Sequence, residues 1–382
     1  MTRPRWLVVA AIGAAQTLAW AGSYYLPAIV APPMAASCAV SPTWVFGAFS
    51  AALLLSAGLA PAVGRAIDRS GGRPVLACSS TVLAAGLLLL AAAPSFAVLC
   101  LGWAVLGVGM ALGLYDAAFA ALAGLYGREA RGPITGVTLI AGFASTVGWP
   151  LSAALLEAVG WRGTCLAWAA LNLVVGLPLN RALVPRAPPP ARGDAQDSDP
   201  APRGAMALLA FAFAAIAVVS TAMAAHLPLV LRQAGAGTAE AVAAASLVGP
   251  AQVGARLAEF IVLRHLHPML SARLATLLHP FGAMLVFVAG GAAAVPFALL
   301  HGAGNGMLTI ARGTLPLALF GPGGYGLRTG FLSAPARILQ AGAPLLFAWA
   351  VARWGVHALW LTTALSVASF AALLALGFRR TP

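Results

Sequence analysis

Runs of about 20 apolar residues recur from Trp6 to Phe378 with short polar interruptions. A run of that length covers a hydrocarbon core of ~30 Å at ~1.5 Å per residue. Backbone amides inside lipid must find their hydrogen bonds within the segment, so each run is expected to be a helix. Twelve are expected, at about 6 to 30, 43 to 63, 75 to 93, 96 to 120, 133 to 157, 163 to 184, 205 to 230, 239 to 263, 272 to 292, 295 to 319, 329 to 351 and 355 to 378. A chain that is 61% hydrophobic and 8% charged is too apolar for a soluble domain of this size. The expected fold class is an all-α membrane protein with twelve transmembrane helices.

The net charge of +13 takes its meaning from where the cations lie. There is no lysine, and the arginines at the termini and in the loops after even-numbered helices number sixteen, against three (Arg162, Arg232 and Arg353) in the loops of the other side. That asymmetry is a positive-inside signal, not a nucleic-acid footprint. It places both termini in the cytoplasm of a bacterial-type inner (plasma) membrane, with the basic excess facing anionic lipid heads. The first apolar run, long and without a convincing cleavage site, is read as a retained helix. Cys38, Cys78, Cys100 and Cys165 are scattered and read as packing residues. His265 and Met269 have a ligand-like spacing in a loop, yet no metal site and no cofactor are expected. The HExxH, GxSxG and Walker patterns are missing, which argues against an enzyme or a self-contained ATP-driven pump.

Between the sixth and seventh runs lies a proline-rich segment, 185 to 204, carrying Arg186, Arg192, Asp194, Asp197, Asp199 and Arg203. It reads as a flexible cytoplasmic linker between two six-helix bundles, 1 to 184 and 205 to 382. The bundles echo one another. Leu125-Tyr126-Gly127 to Thr135-Gly136 recurs as Leu319-Phe320-Gly321 to Thr329-Gly330, and Gly148-Trp149-Pro150-Leu151 meets Gly342-Ala343-Pro344-Leu345 at the same spacing. Internal duplication is the expected origin.

The loop after the second run reads Gly64-Arg65-Ala66-Ile67-Asp68-Arg69-Ser70-Gly71-Gly72-Arg73. Two six-helix halves, a linker and this Gly-x-x-x-Asp-Arg-x-Gly-x-Arg loop together resemble the major facilitator superfamily, over the whole chain. Gly72 stands where that family usually has a basic residue. The resemblance implies a secondary transporter working by alternating access, with Asp68 capping or pairing with the other half when the cytoplasmic side closes and Arg69 and Arg73 supporting that gate. A degenerate copy, Gly254-Ala255-Arg256-Leu257-Ala258-Glu259 followed by Arg264, closes the eighth run. Gly142 and Gly148-Trp149-Pro150 loosely echo the family's antiporter motif without its full form. Gly321, Gly323, Gly324 and Gly326 offer either a moving loop or a tight turn.

Ionisable residues inside membrane helices are costly unless paired or wetted, which makes Asp116, His226, Arg256, Glu259, His301, Arg312 and Arg337 functional candidates. His301, Asn305, Thr309 and Arg312 fall on one helical stripe. Asp116 and Arg312 occupy near-equivalent places in the two repeats and are expected to approach as an inner gate. Gln16, Trp20, Ser23 and Tyr24 share one side of the first helix, and Ser220, Met223 and His226 one side of the seventh; Tyr115 adjoins Asp116. The solute-binding candidates are Gln16, Trp20, Tyr24, Tyr115, His226, His301, Asn305, Arg312 and Arg337. The proton-coupling or gating candidates are Asp116, Glu259, Arg256, Asp68, Arg69 and Arg73. Tyr25 and Trp6 read as interface anchors, and His279 as a packing residue. Three intramembrane arginines against two acids favour a small organic anion such as a carboxylate, carried with protons by a monomer. The alternative is proton-driven efflux of hydrophobic compounds through a cavity of Trp20, Trp103, Trp149 and Met223.

Overall fold

The computed structural model describes residues 3–186, 204–262 and 267–376. Most of the expected linker, and Arg264, His265, Arg379 and Arg380, lie outside them. Among the described residues the regular structure is helical throughout: α1 (Arg5–Ala21), α2 (Pro27–Ser37), α3 (Pro42–Ser70), α4 (Gly72–Ala92), α5 (Phe96–Gly113), α6 (Tyr115–Tyr126), α7 (Arg131–Ala141), α8 (Ala144–Leu171), α9 (Ala205–Gln233), α10 (Thr238–Ser246), α11 (Val248–Ile261), α12 (Pro268–Ala289), α13 (Ala294–Phe320), α14 (Tyr325–Trp354) and α15 (Leu359–Ala375). Seven helical stretches among these residues are long and apolar enough to cross a membrane. The longest, 88 residues from Phe96 to Leu183, exceeds any bilayer. Left-handed glycines break it, Gly127 at φ 54° and Gly160 at φ 71°, a conformation that only glycine adopts without strain.

Two expected helices are broken. The first, expected unbroken from residue 6 to 30, stops at Ala21 and resumes at Pro27. Pro27 lacks the N–H that would bond back to Ser23 and clashes with the preceding turn. The fourth breaks at Leu114, whose backbone is extended (φ −82°, ψ −173°) after the glycine-rich end of α5, Gly107 to Gly113. Arg273, counted among the sixteen loop and terminal arginines although it sits at the edge of the ninth expected span, is buried within α12, where its guanidinium donates to the Leu373 carbonyl at 2.8 and 3.2 Å and to Leu374 at the end of α15. It thereby donates to carbonyls in the last turn of α15, the negative end of that helix. Arg273→Met is expected to lower stability by about 2 kcal/mol, the usual worth of charge-assisted bonds, seen as a reduced melting temperature in detergent.

The chain divides into two compact units, one of residues 1–198 with 320–334, the other of 199–319 with 335–382. In the first, α5 packs on α3 and α4, and α1 on α7 and α8. Small residues bring the backbones together; a methyl added at Gly107 would lie 2.5 Å from the Ala52 carbonyl oxygen. Its core joins Leu26, Met34, Leu87, Leu99, Trp103 and Trp168. In the second unit α15 packs on α9 and α12, and Met223, Leu227, Val230, Phe297 and Phe347 form the core. Large apolar side chains such as Val288, Leu345, Leu346 and Trp6 remain 70% or more exposed, a surface suited to lipid and not to water.

Candidate functional site

In the first unit the last turns of α3 meet the first turns of α14. The opening N–H groups of a helix have no partner within it and carry partial positive charge. Asp68 answers both needs: its two carboxylate oxygens accept from the Gly326 and Leu327 amides, each at 2.8 Å. This is possible because both backbones lack side chains at the crossing. A Cβ at Gly64 would stand 2.0 Å from the Gly326 carbonyl oxygen, and one at Gly330 would stand 2.6 Å from that of Ala60. Arg328 closes the same junction by donating to the carbonyls of Phe320, Gly321 and Gly323. The glycine-rich segment is therefore a tight, pinned turn. Arg69 is exposed and Arg73 half-buried, and the basic residue that holds the turn is Arg328.

The two broken helices of this unit lie against each other. Gln16, 2% exposed on α1, donates through Nε2 to the Gly113 carbonyl at the α5–α6 break. Its Oε1 is buried without a hydrogen-bond partner, as is the indole Nε1 of Trp20 one turn later. Around Trp20 stand Tyr115 at 4.9 Å, Tyr24 at 5.1 Å and Tyr25 at 6.0 Å between ring centroids. Phe49 and Trp103 extend the group, and Phe119 stacks on Tyr115. The result is an aromatic wall with an unmet donor and an unmet acceptor at helical i, i+4 spacing, able to hold a planar solute that carries one polar group. Asp116 is half-buried in the first turn of α6, just after the break. Tyr25, expected as an interface anchor, belongs to this group and accepts from Trp149 Nε1 at its carbonyl.

In the second unit the expected stripe on α13 is present, and each of its first three residues meets a different helix. His301 is buried and faces His279 of α12, Nδ1 to Nδ1 at 3.1 Å. Asn305 accepts from Ser220 of α9 at 2.8 Å. Thr309 accepts from Arg256 of α11 at 3.3 Å, and Arg256 also reaches Gln252 at 3.3 Å. Arg256 and Glu259 are both buried, at 5% and 2% exposure. Arg312 and Arg337 are half-buried. His226 is bonded through Nε2 to the Pro344 carbonyl at 2.9 Å and leans on Phe347.

Sequence reasoning read His279 as a packing residue and Gly326 as part of a loop or turn, and it missed Arg328 and the Gly113 carbonyl. Helical spacing reports faces of one helix, whereas these four matter through partners remote in sequence. A signal was available for two of them: the repeat that carries Thr329-Gly330 marks a close backbone crossing, and Arg328 adjoins it.

A sequence model described as Major Facilitator Superfamily matches residues 12–300. The fold is similar to the human organic anion transporter MFSD10 (TETRAN), with a TM-score of 0.77 at 16% identity over 97% of this chain and 100% of that one. It is also similar to the E. coli fucose:proton symporter FucP, with a TM-score of 0.74 at 13% identity over 99% of this chain and 100% of that one. A crystal structure of FucP in the outward conformation matches with a TM-score of 0.73 at 12% identity, over 97% and 99% of the two chains. No curated protein matches by sequence.

Proposed function

Since the chain belongs to the major facilitator superfamily and is a multi-pass membrane transporter, we propose that it carries a small organic anion, of carboxylate type, by alternating access coupled to protons. Twelve passes follow from splitting the long helical stretches at their left-handed glycines and counting α1 with α2 as one broken pass. The arginine asymmetry then puts both termini in the cytoplasm of a bacterial-type inner membrane. A monomer embedded in lipid suffices for this mechanism.

One observation carries the choice of solute: the arginines on α11, α12, α13 and the second-unit part of α14 (Arg256, Arg273, Arg312, Arg337 and Arg353) outnumber the one acid on those helices, Glu259. An excess of cationic side chains on membrane helices favours a ligand that brings negative charge. The similarity in fold to a protein described as an organic anion transporter agrees with this reading. In the second unit Arg312 and Arg337 are assigned to a solute carboxylate, and Asn305 and His226 to solute polar groups. In the first unit the Trp20, Tyr24 and Tyr115 wall with Gln16 is assigned to solute contact, and Asp116 to proton coupling and gating.

Proteoliposomes should take up organic carboxylates saturably, faster under an inward proton gradient. Arg312→Gln is expected to weaken carboxylate affinity by about 10- to 100-fold, the worth of one charge-assisted bond. Movement of lipophilic cations alone would overturn the anion assignment. That outcome would favour the second reading, efflux of hydrophobic compounds, for which the aromatic wall is the specific support. Trp20→Phe separates the wall's two functions, because it keeps a ring and deletes the indole N–H. A solute bonded there should lose about 2- to 10-fold in affinity, while a purely apolar one should be unaffected.

A further inference from the structure

The second unit holds a polar pocket whose two histidines the solute and gate assignments above do not use, although it shares Asn305 with them. His279 and His301 meet through their Nδ1 atoms at 3.1 Å, and each is 5% exposed. At that separation one nitrogen must carry a proton and the other a lone pair, since two lone pairs repel and two N–H groups collide. The far side of His279 decides which. Thr362 donates its hydroxyl to the Leu359 carbonyl at 3.0 Å, so at 2.9 Å from His279 Nε2 its oxygen accepts an Nε2–H. His279 therefore presents a bare Nδ1, His301 donates its Nδ1–H, and the basic lone pair of the pair is His301 Nε2.

Beside the rings lies a cavity of about 10 Å³, bordered by Ser220, Thr276, Asn305 and Ser366 as well as both histidines. It has room for about one water, and its walls supply the two to four polar partners such a water needs. Ser366 gives independent support: it is fully buried, and its hydroxyl has no hydrogen-bond partner. A buried hydroxyl left unpaired is costly, and a water in the cavity removes that cost.

The charge environment sets how many protons the pair accepts. None of α9, α12, α13 and α15 contains an aspartate or glutamate. Their other titratable groups are His226, bonded to Pro344, Arg232 at the end of α9, Arg273, bonded to the end of α15, and Arg312, eleven residues beyond His301. The neighbouring α11 brings Arg256 and Glu259, and the second-unit part of α14 brings Arg337 and Arg353. One added proton is stabilised by the N–H···N bond between the rings. A second would set two imidazolium ions 3.1 Å apart, which such a site cannot support.

We propose that His279 and His301 form a one-proton site loaded through the water held by Ser220, Asn305 and Ser366. In the loading step a hydronium in the cavity gives its proton to His301 Nε2 and remains as water; unloading is the reverse. Proton binding stands on the pocket alone, while its use in coupling rests on the transporter reading. The coupling path is short, because Asn305 lies one turn beyond His301 and the next turn carries Thr309 and its bond to Arg256.

Solid-state NMR of the full chain in lipid, with 15N-labelled histidine, tests this directly. At neutral pH the expected spectrum has His279 as the Nε2–H tautomer and His301 as the Nδ1–H tautomer, assigned with His279→Gln and His301→Gln. On acidification the pair should gain one proton together, and Thr362→Val should shift the tautomer of His279 without unfolding the protein. Two independent titrations, or two rings still neutral at every pH where the protein is folded, would overturn the site. Uptake measured on the same samples separates the two readings. Pair protonation with no anion uptake sinks the transport assignment and leaves the site, whereas proton-driven uptake with both rings neutral does the opposite.

Discussion

Gly326→Leu should cut transport by about tenfold or more while leaving the protein inserted in the membrane. Even a methyl at this position would lie 2.5 Å from the Gly64 carbonyl oxygen and 2.8 Å from the Asp68 carboxylate. The backbone oxygen cannot move aside as a flexible side chain would, so α14 must be displaced from α3. Displacement stretches both 2.8 Å bonds from Asp68 to the start of α14. Charge-assisted bonds of this kind are worth about 1.5–3 kcal/mol, enough to shift a conformational equilibrium by about 10- to 100-fold. Asp68→Asn removes the charge without the clash and should show a comparable loss. If the glycine acts by enabling the cap, the double variant Asp68→Asn, Gly326→Leu will be no worse than the more damaged single variant. Strictly additive losses would show that the two positions serve different ends. Uptake in proteoliposomes, normalised to inserted protein, reads all three.

The helices were legible in the sequence because lipid enforces a single rule, a run long enough to span with its amides bonded internally. The breaks were less so. Pro27 and the glycines before Leu114 were in plain view, yet whether such residues kink, break or merely decorate a helix depends on what packs beside them, here Gln16 against Gly113. The loop motif fared better: Asp68 was singled out from its charge and position, and the structure gives it the backbone amides of α14. Arg69, exposed near the end of α3, and Arg73, half-buried in the first turn of α4, carry the same charge density in the sequence, while the hydrogen bonds that pin the turn come from Arg328. The stripe on α13 was read as a polar face, and its first three residues bond to three neighbouring helices; His279 was read as a packing residue. Its partner is 22 residues away on another helix, and no periodicity links them.

Asp116→Asn should abolish proton-driven accumulation, by about 100-fold or more, with little change in melting temperature. The substitution is nearly isosteric, and the break that presents this residue is held by other groups, the Gln16 amide on Gly113 and the packing of Tyr115 against Trp20 and Phe119. A carboxylate in the first turn of α6 has a simpler explanation, stabilisation of the helix N-terminus, worth about 0.3–1 kcal/mol. The two explanations differ in what they predict. If Asp116 only steadies α6, Asn will lower stability by that amount and leave accumulation within a few-fold of the wild type. If its ionisation drives the cycle, Asn will preserve downhill exchange of labelled for unlabelled anion, which needs no net proton movement, and will lose accumulation against a gradient. Asp116→Glu, which keeps the charge and lengthens the arm by one methylene, should then recover part of the accumulation. Recovery of accumulation with Glu but not with Asn assigns the effect to charge, and a melting temperature that is the same in both variants separates it from stabilisation of the α6 N-terminus.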